Sequence, residues 1–507
     1  MKHLQQILGI GLILLLAACG GGGTSGGTKP VINSFTATPS SLPTGGGSTT
    51  LAWNVTGATT LSIDQGIGAV TPVTSGSTSK SITATTTFTL TATNASGSVT
   101  QPVAVTVAAP PSTITVSGKV VGINLQPAAS VPVVISGQAP VTTDANGNFT
   151  VSGVTTPYDA TVVVGAQKLG LVYKGLTRPD PTLVFFNFTP GTTNTATLSG
   201  TFSGGDGFPQ PATDRSNGVF GSPEATRTLF PNTATGAYGP SSVTWFGPAS
   251  TTGTIYALQW QVDGAGLPVA YKGFGSKASV TLSNGGTFAG QNVTMGSVAG
   301  SSISGSVSIP SGYTLSSKSL SVNFATNATL SLFADSTSAT SFTYITPNIS
   351  GATLQLQAIA QKALVSTVLG FKPGLAANAS GVSLTLPAGP ELSLPVNAAT
   401  GVNTSTNFTW APFSGGVHLV LISGPAGQPR YYILTTGSNA TIPDLTSLGL
   451  GLPTATNYSW QVYGFAPFAS IDAAAGASGF LSGLGVGPIT GDTFVGISGA
   501  FTFTTAP

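Results

Sequence analysis

Apolar residues recur at every second position through much of this 507-residue chain, and this period restricts the fold more than any other feature. The segments TLAWNV (50–55), TFTLTAT (87–93) and VAVTV (103–107) all show it. Successive side chains of a β-strand point to opposite faces, so each segment predicts a half-buried strand. Short runs such as PTGGGS and NASG contain the Gly, Pro and Asn that are typical of turns, and they separate the strands. We therefore expect an all-β fold, a tandem array of β-sandwich domains.

Charge is scarce. Only 6% of the residues are charged, compared with about 25% in an average soluble protein, and 40% are hydrophobic. Membrane proteins also have little charge, but no apolar run after residue 18 approaches the roughly 20 residues that span a bilayer. The net charge is +2, and the Lys and Arg residues are scattered along the chain. We therefore do not expect nucleic-acid binding.

Residues 1–18 have the organisation of a signal peptide. Lys2 and His3 give a cationic start, and the apolar stretch from Ile7 to Leu16 is too short to cross a membrane. Residues 19–29 are rich in Gly, Ser and Thr, so they predict a flexible tether.

The sequence Leu16-Ala17-Ala18-Cys19-Gly20 resembles the lipobox of bacterial lipoproteins. The resemblance implies that a signal peptidase recognises Leu16, Ala17, Ala18 and Cys19 and cleaves before Cys19, which is then lipidated on its sulfur and its new amino group. Stable anchoring needs more than one acyl chain, and this modification would supply three. The family's sorting rule places Asp after the cysteine of inner-membrane members, so Gly20 is compatible with an outer membrane. The alternative is an ordinary secretory signal with a chance cysteine.

Cys19 is the only cysteine of the chain, so disulfide bonds are excluded. Because of the lipobox resemblance, we expect the chain to be anchored in a bacterial membrane by the lipid on Cys19, with the outer membrane or cell surface favoured.

Residues 30–108 form the first predicted domain. The segments SFTATPSSLPTGGGSTTLAWNVTGATTLSI and TTTFTLTATNASGSVTQPVAVTV resemble the immunoglobulin-like modules of bacterial surface proteins. The resemblance implies a β-sandwich with Trp53 in its core. The alternative for Trp53 is a surface position where it stacks on a ligand.

Residues 113–195 contain TVSGKVVG and VTTDANGNFTVSGV, which resemble the carboxypeptidase regulatory-like, or transthyretin-like, β-sandwich. The resemblance implies a hairpin with a tight turn at DANGN. Asp144, Asn146 and Asn148 have the spacing that begins a calcium loop, but no Glu follows at the required distance and the flanks predict strands. We therefore favour the turn.

A fainter copy of this domain follows later in the chain. Two segments recur, VSGKV (116–120) as ISGSV (303–307) and FTVSGVTTPYDATVVVGAQ (149–167) as FTYITPNISGATLQLQAIAQ (342–361). We predict a second sandwich at 300–390, related to 113–195, with chance similarity of Ser/Thr/Gly-rich sequence as the alternative.

Between the two copies, residues 196–299 predict a further β domain. Its clearest strand is ALQWQVDG, and its least regular stretch, 204–253, is rich in Gly, Pro and aromatic residues. We interpret this stretch as an irregular insertion.

Residues 391–507 form the last predicted domain. The segment LGLPTATNYSWQVYG resembles the tyrosine corner of fibronectin type III modules, which implies that the Tyr458 hydroxyl bonds to backbone a few residues upstream. Where that family has a short turn, this chain has the long loop 466–498. Long loops without regular structure are usually functional or disordered.

The chain contains few residues that titrate or attack substrates. Outside the predicted signal peptide it has one histidine, His418, within the strand-like GGVHLVLIS, and no G-x-S-x-G elbow of a serine hydrolase sits at a strand–helix junction. One histidine and one lipidated cysteine cannot supply the ligands of a zinc site. We expect His418 on a sheet face, and neither a metal nor a cofactor.

Five charged residues lie close together in sequence: Asp206, Asp214, Arg215, Glu224 and Arg227. Glycoside hydrolysis uses two carboxylates across a sugar, and Asp206 with backbone carbonyls could bind calcium. The alternative, which we favour, is a set of ion pairs that stabilises an irregular loop.

Two pairs of adjacent aromatic residues are the remaining candidates for ligand binding, Trp245-Phe246 and Tyr431-Tyr432. Neighbouring side chains of a strand point to opposite faces, so one of each pair can point outward and stack on a sugar or another protein.

These features predict a membrane-anchored bacterial lipoprotein with a structural or adhesive, non-enzymatic role, and a polysaccharide or another surface protein as its partner. One alternative is a polysaccharide- or ligand-binding accessory protein that uses loops 204–253 and 466–498. Another is a hydrolase that uses the carboxylates of 206–227.

Overall fold

A computed structural model describes residues 27–109, 113–122, 125–185, 193–477, 479–480 and 491–507. The chain forms two compact units, divided between Pro111 and Ser112. Nearly all regular structure is β-strand, arranged in several sheets, which confirms the all-β tandem β-sandwich prediction. The predicted signal peptide, Cys19 and most of the tether lie outside the described residues.

The first unit is a two-sheet sandwich. Its strands are β1 (Val31–Thr38), β2 (Ser41–Leu42), β3 (Gly47–Thr56), β4 (Thr60–Ile63), β5 (Gly68–Ala69), β6 (Ser75–Ile82), β7 (Thr86–Asn94) and β8 (Gly97–Val107). One sheet has the order β1-β3-β6 and the other β2-β8-β7-β4-β5. Trp53 is buried in the core with Leu51 and Phe88, and its Nε1 donates a hydrogen bond to Pro72 O at 2.9 Å. The predicted core position of Trp53 is confirmed.

The second unit begins with a seven-stranded sandwich, which we call repeat 1 (residues 113–185). Its strands are β9 (Thr113–Gly122), β10 (Pro132–Ile135), β11 (Val141–Thr142), β12 (Asn148–Thr155), β13 (Tyr158–Val164), β14 (Leu169–Leu176) and β15 (Thr182–Phe185). A 3-10 turn, Gly165–Gln167, precedes β14. One sheet has the order β12-β9-β15, and the other strands run β11-β10-β13-β14.

The predicted turn at DANGN is present, because Asp144 Oδ1 accepts hydrogen bonds from the backbone N–H groups of Asn146 and Asn148, both at 2.8 Å. The predicted hairpin is wrong. The turn connects β11 in one sheet to β12 in the other, and β12 pairs with β9.

Repeat 2 (residues 299–385) has the same strand order as repeat 1. Its strands are β24 (Ala299–Ser308), β25 (Thr314–Ala325), β26 (Ala328–Asp335), β27 (Ser341–Asn348), β28 (Thr353–Lys362), β29 (Ser366–Leu375) and β30 (Val382–Thr385). The sheets run β27-β24-β30 and β26-β25-β28-β29. In both repeats the first strand pairs antiparallel with the fourth and parallel with the seventh. A common origin of the two repeats stays a prediction.

The domain between the repeats is also a sandwich. Its strands are β16 (Thr193–Gly204), β17 (Asp214–Gly221), β18 (Thr226–Leu229), β19 (Ala237–Phe246), β20 (Ser250–Val262), β21 (Pro268–Ser283), β22 (Thr287–Phe288) and β23 (Val293–Met295). One sheet has the order β18-β17-β20-β21, and in the other β16 pairs with β19, β22 and β23.

The interpretation of 204–253 as an irregular insertion is wrong, since it contains β17, β18, β19 and the start of β20. The second half of β17 shows no alternation because both of its faces are covered. Phe220 lies in the core of its own domain, whereas Val219 lies in the core shared with repeat 2.

The last domain places a small sheet against part of a large one. Its elements are β31 (Glu391–Leu394), β32 (Ala399–Val402), β33 (Asn407–Ala411), β34 (Val417–Ser423), β35 (Arg430–Thr435), β36 (Asn439–Thr441), a 3-10 turn (Thr446–Leu448), β37 (Asn457–Ala466), α1 (Ile471–Ala474), β38 (Thr493–Ser498) and β39 (Phe501–Thr505). The small sheet has the order β31-β33-β36. Phe408, Trp410, Trp460 and Phe503 fill the core between the sheets.

The Tyr458 hydroxyl donates a hydrogen bond to Pro429 O at 3.1 Å. Its partner is therefore 29 residues upstream, beside β35, and not a few residues upstream as the tyrosine-corner resemblance implied. The hydroxyl ties β37 to the loop before β35.

The last domain and both repeats share one sheet. Among the described residues this sheet has fourteen strands, and its main path is β11-β10-β13-β14-β35-β34-β37-β38-β29-β28-β25-β26. Strand β14 of repeat 1 pairs in parallel with β35, and β29 of repeat 2 pairs antiparallel with β38. The last domain thus lies between the two repeats, joined to each by backbone hydrogen bonds.

The described part of loop 466–498 contacts both repeats. Helix α1 packs on repeat 1, where Ile471, Ala474 and Phe480 lie in its hydrophobic core, and Thr182 N donates to Ala475 O at 2.8 Å. Strand β38 bridges β37 and β29. The long loop 466–498, which replaces the short turn of the fibronectin resemblance, thus helps to join the last domain to both repeats.

Within the described residues, no helix has the length and apolar character needed to cross a membrane.

Candidate functional site

The five charged residues predicted as one cluster occupy the two ends of β17. Asp206, Asp214 and Arg215 lie at its start, whereas Glu224 follows its end and Arg227 pairs with Phe220 near that end. Eight residues of strand extend over roughly 23 Å. The two carboxylates of a glycosidase lie about 5–10 Å apart. The structure therefore contradicts a two-carboxylate site built from Asp214 and Glu224.

At the start of β17, Asp206 forms an ion pair with Lys272, whose Nζ lies 2.7 Å from Asp206 Oδ2. The side chain of Gln259 is fully buried beneath it and accepts a hydrogen bond from Asp206 N at 2.9 Å. Asp206 raises the pKa of Lys272 by hydrogen bonding and by charge. The contact agrees with the favoured prediction of ion pairs, although the partner, Lys272, lies on β21 outside the predicted cluster.

Asp214 is buried, and its backbone O accepts a hydrogen bond from Arg215 Nη1 at 2.9 Å. At the far end of β17, Glu224 is exposed and accepts a hydrogen bond from Thr251 Oγ1 at 2.6 Å. Arg215 and Arg227 are both exposed. These contacts position turns of the domain. Asp206 and Asp214 both act on Lys272 near the start of β17, whereas Glu224 lies beyond its other end.

The aromatic pairs do not form a platform for a ligand. Trp245 and Tyr431 are fully buried, and both use their polar atoms internally, with Trp245 Nε1 donating to Pro248 O at 2.8 Å and Tyr431 Oη to Leu450 O at 3.0 Å. Tyr432 is also buried, because repeat 1 covers the outer face of β35. Phe246 alone is half-exposed. The prediction that one of each pair stacks on a ligand is wrong for Tyr431 and Tyr432.

His418 lies on a sheet face of β34, as predicted, and that face is covered, so that 1% of the residue's surface is exposed. Its Nε2 accepts a hydrogen bond from Phe413 N at 2.8 Å, and the Trp410 ring lies edge-on to it at 5.5 Å. Burial lowers the pKa of His418 to about 4, so the ring is neutral at pH 7. His418 is a core residue that accepts a backbone hydrogen bond.

Repeat 2 contains a buried ion pair that the sequence did not indicate. Lys318 and Asp335 are cross-strand neighbours, and Lys318 Nζ lies 3.1 Å from Asp335 Oδ2. The ammonium also donates to Thr337 O at 3.0 Å and Ala339 O at 2.9 Å, and Tyr344 Oη donates to Asp335 Oδ2 at 2.6 Å. Burial by itself raises the pKa of Asp335, but the hydrogen bonds from Tyr344 and Thr337 outweigh it and lower the pKa well below its usual range.

An open groove of about 490 Å³ lies on the last domain. It lies across the outer face of β34, β37 and β39. The ten residues that line it are all uncharged: Ala398, Ser423, Gly424, Pro425, Asn457, Tyr458, Ser459, Thr502, Phe503 and Thr504. The rings of Tyr458 and Phe503 stack beneath it at 5.6 Å. None of these positions was among the residues predicted from sequence to bind a ligand.

The sequence did contain a signal for the groove. Within YSWQVYG and FTFTT, aromatic and polar residues alternate, which separates inward aromatic residues from outward Ser, Thr and Asn. Without the register of β34, β37 and β39, those outward residues could not be assigned to one surface.

In the described part of the chain, no three His, Cys, Asp or Glu side chains lie close enough to hold a metal ion.

No protein-family model and no curated protein matches the chain. Among solved structures, the Bacillus anthracis TIE protein is 8% identical, with 71% of this chain and 75% of that one covered and a TM-score of 0.15. Dscam1 isoform 1.9, N-terminal four Ig domains, is 9% identical, with 70% and 100% covered and a TM-score of 0.14. Sidekick-1 immunoglobulin domains 1–5 are 10% identical, with 86% and 95% covered and a TM-score of 0.14. Similarities with TM-scores this low carry no argument about this chain.

Proposed function

We propose that this chain is a bacterial lipoprotein that acts as a non-enzymatic β-scaffold, anchored in a membrane by the lipid on Cys19. The continuous sheet that joins repeat 1, the last domain and repeat 2 carries the scaffold part of the proposal. Independent domains on flexible linkers move relative to one another, whereas strands paired across domain boundaries fix their arrangement. Such a unit suits the presentation of a surface at a set distance from a membrane.

The contacts of the charged side chains support a structural role. Six Lys or Arg side chains of the described residues form ion pairs with Asp or Glu: Lys174, Arg178, Lys272, Lys318, Lys362 and Lys372. Two of these pairs fix segments that meet at or beside domain boundaries, Lys372 with Asp492 at 2.7 Å and Lys362 with Glu391 at 2.8 Å. Much of the sparse charge is therefore used within the fold.

The described parts of the two loops assigned to the ligand-binding alternative are packed into the fold. Residues 204–253 form strands of the central sandwich, and helix α1 in 466–498 contributes to the core of repeat 1. Of the three carboxylates assigned to the hydrolase alternative, Asp206 and Asp214 lie at one end of β17, where Asp206 pairs with Lys272, and Glu224 lies beyond the other end. These positions favour the scaffold over both alternatives at those sites.

The anchor rests on the lipobox-like sequence before Gly20. A Cys19→Ser variant, expressed in a bacterial host with labelled palmitate, tests it. The matched control is the double variant Cys19→Ser/Ser25→Cys, which keeps one cysteine but moves it out of the motif. We expect label and membrane association in the unaltered chain and neither in the two variants. Label that persists in Cys19→Ser, or that appears in the double variant, contradicts the proposal.

A further inference from the structure

We infer that the groove on the last domain binds an uncharged oligosaccharide. The inference goes beyond the scaffold role, because it gives the scaffold a ligand, and it does not depend on the lipid anchor. It rests on the register of three strands, on the direction of the hydrogen bonds within the groove and on the absence of charge among its lining residues.

The strand register places the polar side chains of the groove in two rows. Ser459 on β37 lies opposite Ser423 on β34 and opposite Thr502 on β39, while Asn457 lies opposite Thr504. Adjacent strands are about 4.8 Å apart, and alternate residues of a strand about 7 Å apart. The groove therefore presents a grid of hydroxyl and amide groups at fixed spacing, held by the sheet.

The hydroxyl protons of both threonines in this grid are used inside the protein. Thr502 Oγ1 donates to Asn397 Oδ1 at 3.0 Å, and Thr504 Oγ1 donates to Asn457 Oδ1 at 2.7 Å. A hydroxyl has one proton and two lone pairs, so a committed proton leaves the oxygen available as an acceptor. The amide Nδ2 of Asn457 adds a donor to the grid. A ligand that fits must mainly donate hydrogen bonds to these oxygens, and it must also accept one from Asn457 Nδ2.

Sugar hydroxyl groups do both, which is why a neutral saccharide matches the groove. Phosphate, sulfate and carboxylate groups at neutral pH only accept hydrogen bonds, so they find few donors here. Arg430 lies opposite Ser423 across the β34–β35 pair but does not line the groove. The volume of about 490 Å³ falls within the range of small-molecule sites, about 300–1,000 Å³.

A glycine lets the Tyr458 ring lie against the backbone beneath the groove. A Cβ atom on Gly424 would lie 2.7 Å from Cζ of the Tyr458 ring, so a side chain at this position would displace the ring. Tyr458 itself is held by its hydrogen bond to Pro429. The floor and the wall of the site are thus fixed before a ligand arrives, which lowers the entropic cost of binding.

Saturation-transfer NMR with the full chain tests the inference. The probes are three neutral hexasaccharides (of cellulose, amylose and β-mannan) and one acidic hexasaccharide, hexagalacturonate. We expect transfer to at least one neutral probe and none to the acidic probe. Thr504→Val and Asn457→Ala should each weaken binding about three- to tenfold, since each removes part of the grid. Thr502→Tyr, which fills the groove at an exposed position, should abolish it.

The matched control is Arg430→Gln, which changes the nearest charged neighbour and leaves the lining residues intact. It should leave the affinity for the neutral probe unchanged. Melting temperatures within a few degrees of the unaltered chain establish that each variant is folded. No transfer to any neutral probe overturns the inference, as does binding that survives Thr502→Tyr. Binding of the acidic probe that is lost in Arg430→Gln overturns it as well.

Discussion

The carboxylate of Asp472 accepts a hydrogen bond from the backbone N–H of Thr177 at 2.9 Å, although the two residues are 295 positions apart in sequence. It also accepts a hydrogen bond from the Thr177 hydroxyl and one from Arg178 N, while Arg178 Nη1 donates to Asp472 O at 2.7 Å. Burial by itself raises the pKa of Asp472, but these hydrogen bonds outweigh it and lower the pKa below its usual value. This residue fastens helix α1 to repeat 1.

Asp472→Ala should therefore loosen α1. We expect the free energy of unfolding to fall by about 2 kcal/mol, because several backbone and side-chain donors lose a charged acceptor. Urea unfolding measures the loss, and limited proteolysis should show faster cleavage near residues 470–480. The control is Asp180→Ala, which removes an exposed partner of Arg178 and should cost less than about 1 kcal/mol. Equal stability of the two variants would contradict the assigned role of Asp472.

Lys318→Met should destabilise the protein by about 3–5 kcal/mol, because it leaves Asp335 buried without its cation. The comparison is Lys362→Met, at a partly exposed pair with Glu391, where we expect at most about 1 kcal/mol. Thermal unfolding of both variants measures the difference. If the two substitutions cost the same, then the burial of Lys318 is not what makes its ion pair important.

His418 should make the protein less stable in mild acid. Its pKa is about 4 in the folded state, where burial disfavours the charged ring, and about 6.5 in the unfolded state. Between these values the unfolded chain takes up a proton that the folded chain does not, so stability is complete above about pH 6.5 and falls as the pH drops toward 4. The full loss is roughly 3 kcal/mol.

Urea unfolding of the unaltered chain and of His418→Gln, at pH 7 and pH 4.5, measures how much of the stability lost in acid comes from His418. The glutamine variant should be less stable at pH 7 but should lose less stability on acidification. An equal loss in both proteins would exclude His418 as the source.

The alternation of apolar and polar residues was sufficient to predict much of the fold. The alternation around Trp53, Phe88 and Val105 is produced by strands with one covered face, and all three residues are buried as their positions indicated. The same argument could not identify β17, where Val219 and Phe220 contact different cores and the period of two disappears.

The junctions between domains had no comparable signal in the sequence. Pairing of β14 with β35 and of β29 with β38 is made by backbone groups, which every residue carries, between segments distant in the chain. The surroundings of the charged residues and of the tyrosine pair also depend on distant segments. Clustering in sequence along a strand such as β17 separates residues in space, whereas Lys272 meets Asp206 from another strand.

The proposed scaffold depends most on the continuity of the large sheet through repeat 1, the last domain and repeat 2. Native-state hydrogen exchange of the full chain, read at individual amides of β14, β35, β29 and β38, tests it directly. If the three domains open as one unit, the paired amides at both junctions should exchange within about tenfold of those at the centre of β37. Junction amides that exchange at the rates of exposed edge strands, while β37 remains protected, would show domains that open separately and would contradict the fused scaffold.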